Sequence, residues 1–583
     1  MTFAFGPFVI DDAARVLRLN ERELHVQPLV FDLLVYLVRE RARVISKDEL
    51  LEALWPGVIV TENSLQRAIS TLRTVLREGD MQDAIRSVPR AGYRFCLELV
   101  PPPDAAEGGD DLTQARHAAE ARLWNEAAVL YSKTDAATLS GTDLDQWALA
   151  LQCAGNPSDA VPVFTRAIAA HTQKGDLNAA AESAISLAGV HLERNELAVA
   201  KGWTARAAEL TAQNEASRAR GLVTWMQARI AGSEGNPRLA HEKAEAAYAI
   251  GRGNGDVGVE ALGLMYRGFY RLSLGDTAAG LEDQDHASAL ALSHTLDPVT
   301  GGTLFCNILW ACRTFCDWSR ATQWTLGYRQ FCTDSRMQFS GSCELHRAEV
   351  LGVQGSLKQA LGHIEEALAR LQNDAPWARG DAYRVLGDIQ SAIGNTDAAR
   401  AAYEKCYALG WDPEPGYALL LLAEGEAEQA YAALERSLIG QGWWTLQRQG
   451  MLLAHLALVA AHARKPEKAQ ALIDDLAGQE KRWPMPSIRA LTNEAAAILA
   501  KQSGDPDEAR RRLHLARQLW TGVECRLNAT RLRLEIAAVA LDAGDVSGAS
   551  SELRVASADA QALGSAKLQE RCAALEKRLP KSA

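Results

Sequence analysis

From residue 155 to residue 549 one small pattern recurs: a turn residue, most often glycine, with an alanine or glycine five positions on. The pairs are Gly155/Ala160, Asn195/Ala200, Gly235/Ala240, Gly275/Gly280, Cys316/Ala321, Gly355/Ala360, Gly394/Ala399, Gly425/Ala430, Arg464/Ala469, Gly504/Ala509 and Gly544/Ala549. Gly155 to Gly544 makes ten intervals, a period of about 39 residues, which two helices of roughly 14 to 17 residues and their turns would fill. Between the turns the chain is rich in Ala, Leu and Glu and almost empty of strand-like runs. A helical hairpin of this size cannot bury its apolar face alone, so it must stack on its neighbours. The small residue marks a helix position where another backbone comes close. Phe164, Tyr248, Tyr403 and Tyr431 lie in the same helices and read as packing between them.

The first hundred residues do not share this pattern. Phe3–Ile10, Val16–Leu19 and Glu23–Val26 read as short strands with turns between them. Pro28 can open a helix whose buried stripe is Leu29, Phe31, Leu33, Leu34, Leu37 and Val38. Ser46-Lys-Asp-Glu49 has the form of a capping box, and it opens a second helix with Leu50, Leu51, Leu54 and Trp55 inside. Asn63 can cap a third, whose apolar face is Leu65, Ile69, Leu72 and Leu76. At 100° per residue the opposite face of that helix carries Asn63, Arg67, Ser70, Thr71 and Thr74, flanked by Arg73 and Arg77. Ile85–Phe95 then reads as a hairpin with Arg90 at its tip. Strands, three helices and a closing hairpin make a winged helix, in which a helix suits the major groove and an arginine-tipped hairpin reaches phosphate or the adjacent groove. The expected fold is mainly α: an N-terminal winged helix-turn-helix (α+β) over residues 1–100, a Pro- and Asp-rich linker over 101–111, and an α-solenoid over 112–583.

Charge supports this division. The whole chain carries a net charge of -11, from 62 basic against 73 acidic residues, which speaks against a protein coated in basic surface. Residues 1–100 are nearly neutral, yet residues 61–95 hold six arginines against four acids. The acidic excess belongs to the array, which would be repelled by DNA.

With these motifs in place a resemblance becomes specific. FDLLVYLVRERARVISKDELLEALWPG, then IVTENSLQRAISTLRTVLR, then IRSVPRAGYRF resemble, in order, the OmpR/PhoB-type winged-helix domain, over about residues 4–97. They are most similar to the variant at the N-terminus of membrane-anchored acid and virulence regulators. The resemblance implies transcription control from promoter DNA, often on tandem half-sites, with contact to RNA polymerase through the loop Trp55–Glu62. It implies DNA-contacting roles for Asn63, Arg67, Ser70, Thr71, Thr74 and Arg90, with Gly92 and Tyr93 shaping and anchoring the wing. The chain departs from that family: no receiver domain precedes the winged helix and no apolar run long enough to span a membrane follows it. The longest such run, Met451–Ala463, is 13 residues and contains two histidines.

The array resembles tetratricopeptide-like repeats, with a period closer to that of large bacterial transcription activators, and Gly410–Gly425 resembles a segment of those proteins. No GxxxxGK phosphate loop occurs, and no cofactor or metal is expected. Trp310, Trp318 and Trp324 cluster mid-array and are candidate ligand-binding residues, with Trp443 and Trp444 further on. Cys306, Cys312, Cys316, Cys332 and Cys343 crowd the same region; inert packing is the simpler reading, and a thiol sensor or soft-metal site is the alternative. His286, His294, His346 and His363 show no metal-binding spacing and no carboxylate partner pattern.

The expected function is a cytoplasmic, sequence-specific DNA-binding transcription regulator controlled through its helical repeats, not an enzyme. Its expected partners are double-stranded promoter DNA, RNA polymerase, an effector at the array and a second copy of the chain. The alternative is a protein-interaction scaffold that uses the winged helix as one more protein-binding module.

Overall fold

The computed structural model describes residues 2–11, 15–20, 22–24, 26–41, 43–54, 62–88, 91–97, 111–135, 137–214, 216–293, 296–337, 341–371, 376–439 and 443–580. The chain forms two compact units, Met1–Ala121 and Arg122–Ala583. Of the expected linker only Asp111 is described, and it opens the helix Asp111–Glu120.

The first unit begins with a four-stranded antiparallel meander of β1 (Thr2–Phe5), β2 (Phe8–Asp11), β3 (Val16–Leu19) and β4 (Arg22–Leu24). The run Phe3–Ile10, expected as one strand, is two. Gly6 takes φ +52 and Pro7 has no N–H to give, so the chain folds back between Phe5 and Phe8. Three helices follow: α1 (Pro28–Arg39), α2 (Lys47–Leu54) and α3 (Glu62–Arg77), then the hairpin β5 (Ile85–Val88) and β6 (Gly92–Phe95). Pro28 occupies the first helical position, as expected. Phe5 packs on Phe8 and edge-on against Phe95, at 5.6 and 5.0 Å between ring centroids. Ile10, Leu17, Leu33, Leu34, Leu37, Leu65, Leu72 and Leu76 complete one core for the unit.

The capping box at α2 closes on one side only. The Glu49 N–H donates to Ser46 Oγ at 3.1 Å. The Glu49 carboxylate instead receives both terminal nitrogens of Arg43 and the Tyr36 hydroxyl. Arg43, the largest influence, holds that carboxyl below its ordinary range.

In the second unit all eleven turn residues of the repeat have positive φ, from +55 at Arg464 to +113 at Gly394. Each turn closes in the same way: the following N–H bonds a carbonyl five residues back, as in Asp276 to Arg271 and Asp545 to Ala540. After every turn but the first, the next residue is the N-cap of the following helix, with Asn236, Asp317, Asp505 and Asp545 accepting from the N–H three residues on. Ala160, Ala200, Ala240, Ala321, Ala360, Ala399, Ala430, Ala469, Ala509 and Ala549 all have 0% exposure. At that depth any larger side chain would push the helices apart. The solenoid of helical hairpins is therefore built as its periodicity predicts. Phe164, Tyr403 and Tyr431 are buried, and the half-buried Tyr248 ring lies 4.3 Å beneath the Arg267 guanidinium.

Two features were not legible beforehand. Arginine–carboxylate pairs link positions one repeat apart: Glu182–Arg218, Glu193–Arg229, Asp285–Arg320, Glu349–Arg384, Asp412–Arg448, Glu494–Arg531 and Glu535–Arg571 are separated by 35 to 37 residues. Segments about five repeats apart also touch. Trp124 Nε1 donates to the Ser335 carbonyl, Thr277 Oγ1 to that of Arg482, Gln447 Nε2 to that of Phe269, Ser487 Oγ to that of Cys316 and Ser565 Oγ to that of Ala392. These bonds tie repeats that are distant in sequence directly to one another. No described helix is long and apolar enough to cross a membrane.

Candidate nucleic-acid interface

Helix α3 buries Leu65, Ala68, Ile69, Leu72 and Leu76 in the core of the first unit. One helical face cannot be inside without turning the other out. Arg67, Ser70, Thr71, Thr74 and Arg77 are exposed. The Thr74 hydroxyl donates to the Ser70 carbonyl at 3.0 Å, which leaves its oxygen able to accept. Asn63 lies inside the first turn of α3, which starts at Glu62, so it is not the cap; its side chain is outside the described residues.

Arg73 is placed differently. It is half-buried, and its Nε and Nη2 donate to the Ile85 carbonyl at 3.2 and 2.7 Å while Nη2 also reaches Ser87 Oγ at 3.1 Å. Its guanidinium fastens the hairpin to α3. Helical phase alone puts Arg73 on the flank of the outward face; the incoming strand claims it.

The hairpin is held from two more sides. Tyr93 exchanges backbone hydrogen bonds with Ile45, at 2.8 and 2.9 Å. Gly92 has φ +136, and a Cβ there would lie 1.8 Å from the Ile45 carbonyl oxygen, so no other residue fits. These contacts give Gly92 and Tyr93 the shaping and anchoring positions that the family resemblance implies. Arg90, the expected tip residue, lies outside the described residues, as does the loop before α3 from Trp55 to Thr61. Two arginines were overlooked: Arg86 and Arg94 face each other across the hairpin, and both are exposed. Their pairing follows from strand register, which becomes readable only once the turn is placed between Val88 and Gly92.

Mid-array, the three candidate tryptophans are not brought together as a set. Trp310 is buried, edge-on to Trp377 at 5.7 Å and to Trp411 at 6.2 Å. Trp318 is buried at the start of its own helix, Trp318–Ser335. Trp324 packs on Phe305 and donates Nε1 to Asp285 at 3.0 Å. The side chains of Trp443 and Trp444 are outside the described residues. Trp377 and Trp411, far from Trp310 in sequence, were not foreseen as its neighbours.

Cys312, Cys316, Cys332 and Cys343 are buried and Cys306 is half-buried. Cys316 is a turn residue beyond the helix that carries Cys312, so the two do not share a helical face. Burial raises the Cys306, Cys312 and Cys332 thiols and pushes Cys316 up to about 12. Thiols held protonated in this way are poor nucleophiles and poor metal ligands. Cys306 Sγ is 3.4 Å from His346 Nε2. Arg313 donates to His346 Nδ1, so the ring's proton sits on Nε2 and points at sulfur. A ring protonated on that side cannot take the thiol's proton.

His363 does have a carboxylate partner, Glu344 at 2.8 Å, because neighbouring helices supply what local spacing lacks. With Glu366 these two offer ligand atoms within 4.8 Å of one another, although Glu366 is paired with Arg370. His286 lies on the helix Thr277–Leu292, and His294 is outside the described residues.

Residues 21–95 match the family "Transcriptional regulatory protein, C terminal". The chain is 30% identical over 97 residues to the transcriptional activator CadC of Escherichia coli (strain K12), covering 16% of this chain and 19% of CadC. It is 32% identical over 98 residues to the transcriptional regulator HilA of Salmonella typhi, covering 17% of this chain and 18% of HilA. Among solved structures, the DNA-binding domain of E. coli CadC matches with 29% identity and a TM-score of 0.16, covering 17% of this chain and 94% of that one. The chain thus spans about a fifth of the length of the curated relatives it matches. Residues 21–95 hold an OmpR/PhoB-type winged-helix domain, homologous to the corresponding segments of CadC and HilA.

Proposed function

We propose that the chain is a sequence-specific DNA-binding transcription regulator that acts in the cytoplasm on double-stranded promoter DNA. One observation carries this reading: α3 packs its apolar side into the winged-helix core and turns Arg67, Ser70, Thr71, Thr74 and Arg77 outward. Arginine can reach guanine edges or phosphate, and the hydroxyls can bond to either. Asn63 belongs to the same reading face, and Arg86, Arg90 and Arg94 supply the wing's positive charge. Arg73 supports that face by fixing the wing.

The domains are 1–100 for DNA, 101–111 as linker and 112–583 for control. RNA polymerase meets the loop Trp55–Glu62, and the array takes the effector. Two copies of the chain place two winged helices on tandem sites. The activator named among the relatives supports the regulatory reading.

The test is duplex binding by the full chain, followed by fluorescence anisotropy against genomic fragments over a salt series. Neutralising about five phosphates should give a log–log salt slope of roughly −4 to −5. Absence of binding to any duplex at low salt overturns the proposal.

A further inference from the structure

One repeat of the array brings an imidazole and two carboxylates together. Its hairpin consists of the helices Gly341–Gln354 and Leu357–Arg370, joined at the Gly355 turn. The seam between them is apolar, with Leu345 and Ala348 of the first helix packed among Ala360, Ile364 and Ala367 of the second. Glu344, His363 and Glu366 each stand one position before a seam residue, so helical phase sets all three along the border of the hairpin. Their ligand atoms lie within 4.8 Å of one another.

The three groups are differently satisfied. Glu344 is 4% exposed, a depth at which a carboxylate is normally paired with a cation. Asp283, Glu349, Asp381 and Glu494, buried elsewhere in the array, are each held by a guanidinium. Glu344 is held by an imidazole instead: His363 Nδ1 meets its Oε2 at 2.8 Å, and among the described residues no arginine or lysine pairs with it. A neutral imidazole gives that carboxylate one hydrogen bond and no charge.

His363 and Glu366 are one helical turn apart on the second helix. Glu366 is exposed, and its carboxylate takes Arg370 in an i, i+4 pair at 2.5 Å. Such solvent-facing pairs contribute little to stability, so Glu366 exchanges Arg370 for a stronger partner at small cost.

We infer that Glu344, His363 and Glu366 form a site for a divalent first-row transition ion, zinc being the ion best matched to it. Zinc bonds imidazole nitrogen at about 2.0 to 2.1 Å and carboxylate oxygen at about 2.0 to 2.2 Å. Tetrahedral angles then set neighbouring ligand atoms roughly 3.4 Å apart. His363 Nδ1 and Glu344 Oε2 therefore need to separate by only about half an ångström. The ion takes the place of the proton between them, and the ring's own proton sits on Nε2. Glu366 turns from Arg370 to become the third ligand, and water completes the shell. Two carboxylates balance the double charge of the ion. The imidazole nitrogen favours zinc over magnesium and calcium, which prefer oxygen ligands throughout. The site is built from one repeat of the array alone and is independent of what the first unit binds.

The experiment is equilibrium dialysis of the full chain against zinc chloride, with magnesium and calcium chloride as competitors. It uses a Cys96→Ser background, which removes the exposed thiol. Expected are zinc binding at a single site that excess magnesium or calcium does not displace, and a higher melting temperature with zinc. His363→Ala should weaken zinc binding by roughly a hundredfold, and Glu366→Gln by roughly tenfold. Arg370→Ala frees Glu366 and should tighten binding by up to about twofold. Cobalt(II) in place of zinc should give the visible bands of a nitrogen and oxygen site without thiolate charge transfer. No zinc binding, equal competition by magnesium or calcium, or thiolate bands overturns the inference. So does unchanged binding in a folded His363→Ala or in Glu366→Gln, or weakened binding in Arg370→Ala. Should His363→Ala fail to fold, the surface variant Glu366→Gln decides.

Discussion

Replacing Arg73 and Arg67 separately by alanine should divide support from contact on one helix. Arg73 makes three donor contacts to the hairpin, two to the Ile85 carbonyl and one to Ser87 Oγ. The Ile85 residue is 2% exposed, so water replaces the lost bonds poorly. Hydrogen bonds to a charged donor contribute about 1.5 to 3 kcal/mol, and one carbonyl is shared between two of the contacts. Arg73→Ala should therefore destabilise the α3–hairpin pairing by roughly 2 kcal/mol. Hydrogen exchange in peptides from 62–97 of the full chain reads this directly. Its duplex affinity should fall for every sequence alike, with the salt slope unchanged, because no phosphate contact is removed. Arg67 is exposed; its replacement should leave exchange within about 0.5 kcal/mol of wild type. The salt slope should shrink by about 0.9 if it neutralises one phosphate, and a base contact would instead change sequence preference. If Arg73→Ala reduced the salt slope with exchange unaltered, the supporting role assigned to Arg73 would be wrong. Arg67→Ala that changed neither slope nor preference would remove Arg67 from the interface.

Other expectations concern the array. Arg464 is an exposed non-glycine residue at φ +55, where a Cβ costs about 1 kcal/mol or more; Arg464→Gly should raise the urea midpoint, and a lowered midpoint refutes the account of the turns. Glu414 titrates near 7 in the folded chain against an ordinary 4.5. Between those values the folded state keeps a proton that the unfolded state has lost. Rising pH should thus cost the wild type up to about 1.4 kcal/mol per unit relative to Glu414→Gln, levelling off above about pH 7. Parallel stability curves for the two proteins from about pH 5 to about pH 8 would contradict this. Of the ten cysteines only Cys96 is exposed, so a thiol reagent should label it alone in the native chain and all ten after unfolding. Rapid native labelling of Cys312, Cys316, Cys332 or Cys343 would show that their burial is not maintained.

Local rules made much of this architecture readable. A positive φ favours glycine, a close helix contact favours alanine or glycine, and both constraints act within six residues, so the eleven turns could be marked from spacing, the two at Cys316 and Arg464 included. The outward face of α3 followed in the same way, since burial of Leu65, Ile69, Leu72 and Leu76 fixes where Arg67, Ser70 and Thr74 must point. Errors arose where a partner came from elsewhere in the chain. Glu49 has the right spacing to close its capping box, yet Arg43 and Tyr36 hold its carboxylate. Arg73 has a solvent-flank helical phase, yet the hairpin carbonyl at Ile85 takes it.

The same distinction explains the middle of the array. Proximity in sequence grouped Trp310 with Trp318 and Trp324, but helices stack at intervals of a whole repeat. Trp310 consequently meets Trp377 and Trp411 instead. Periodicity is a property of each repeat and its nearest neighbour, which is why composition and spacing alone establish a winged helix followed by helical hairpins. How far the array turns per repeat is a small angle summed over many interfaces, and no residue encodes it separately. That sum brings Thr277 to Arg482 and Ser565 to Ala392. Stacking of successive repeats gathers the guanidiniums of Arg313 and Arg384 and the carboxylates of Glu349 and Asp381 into one buried network, a juxtaposition that exists only after folding.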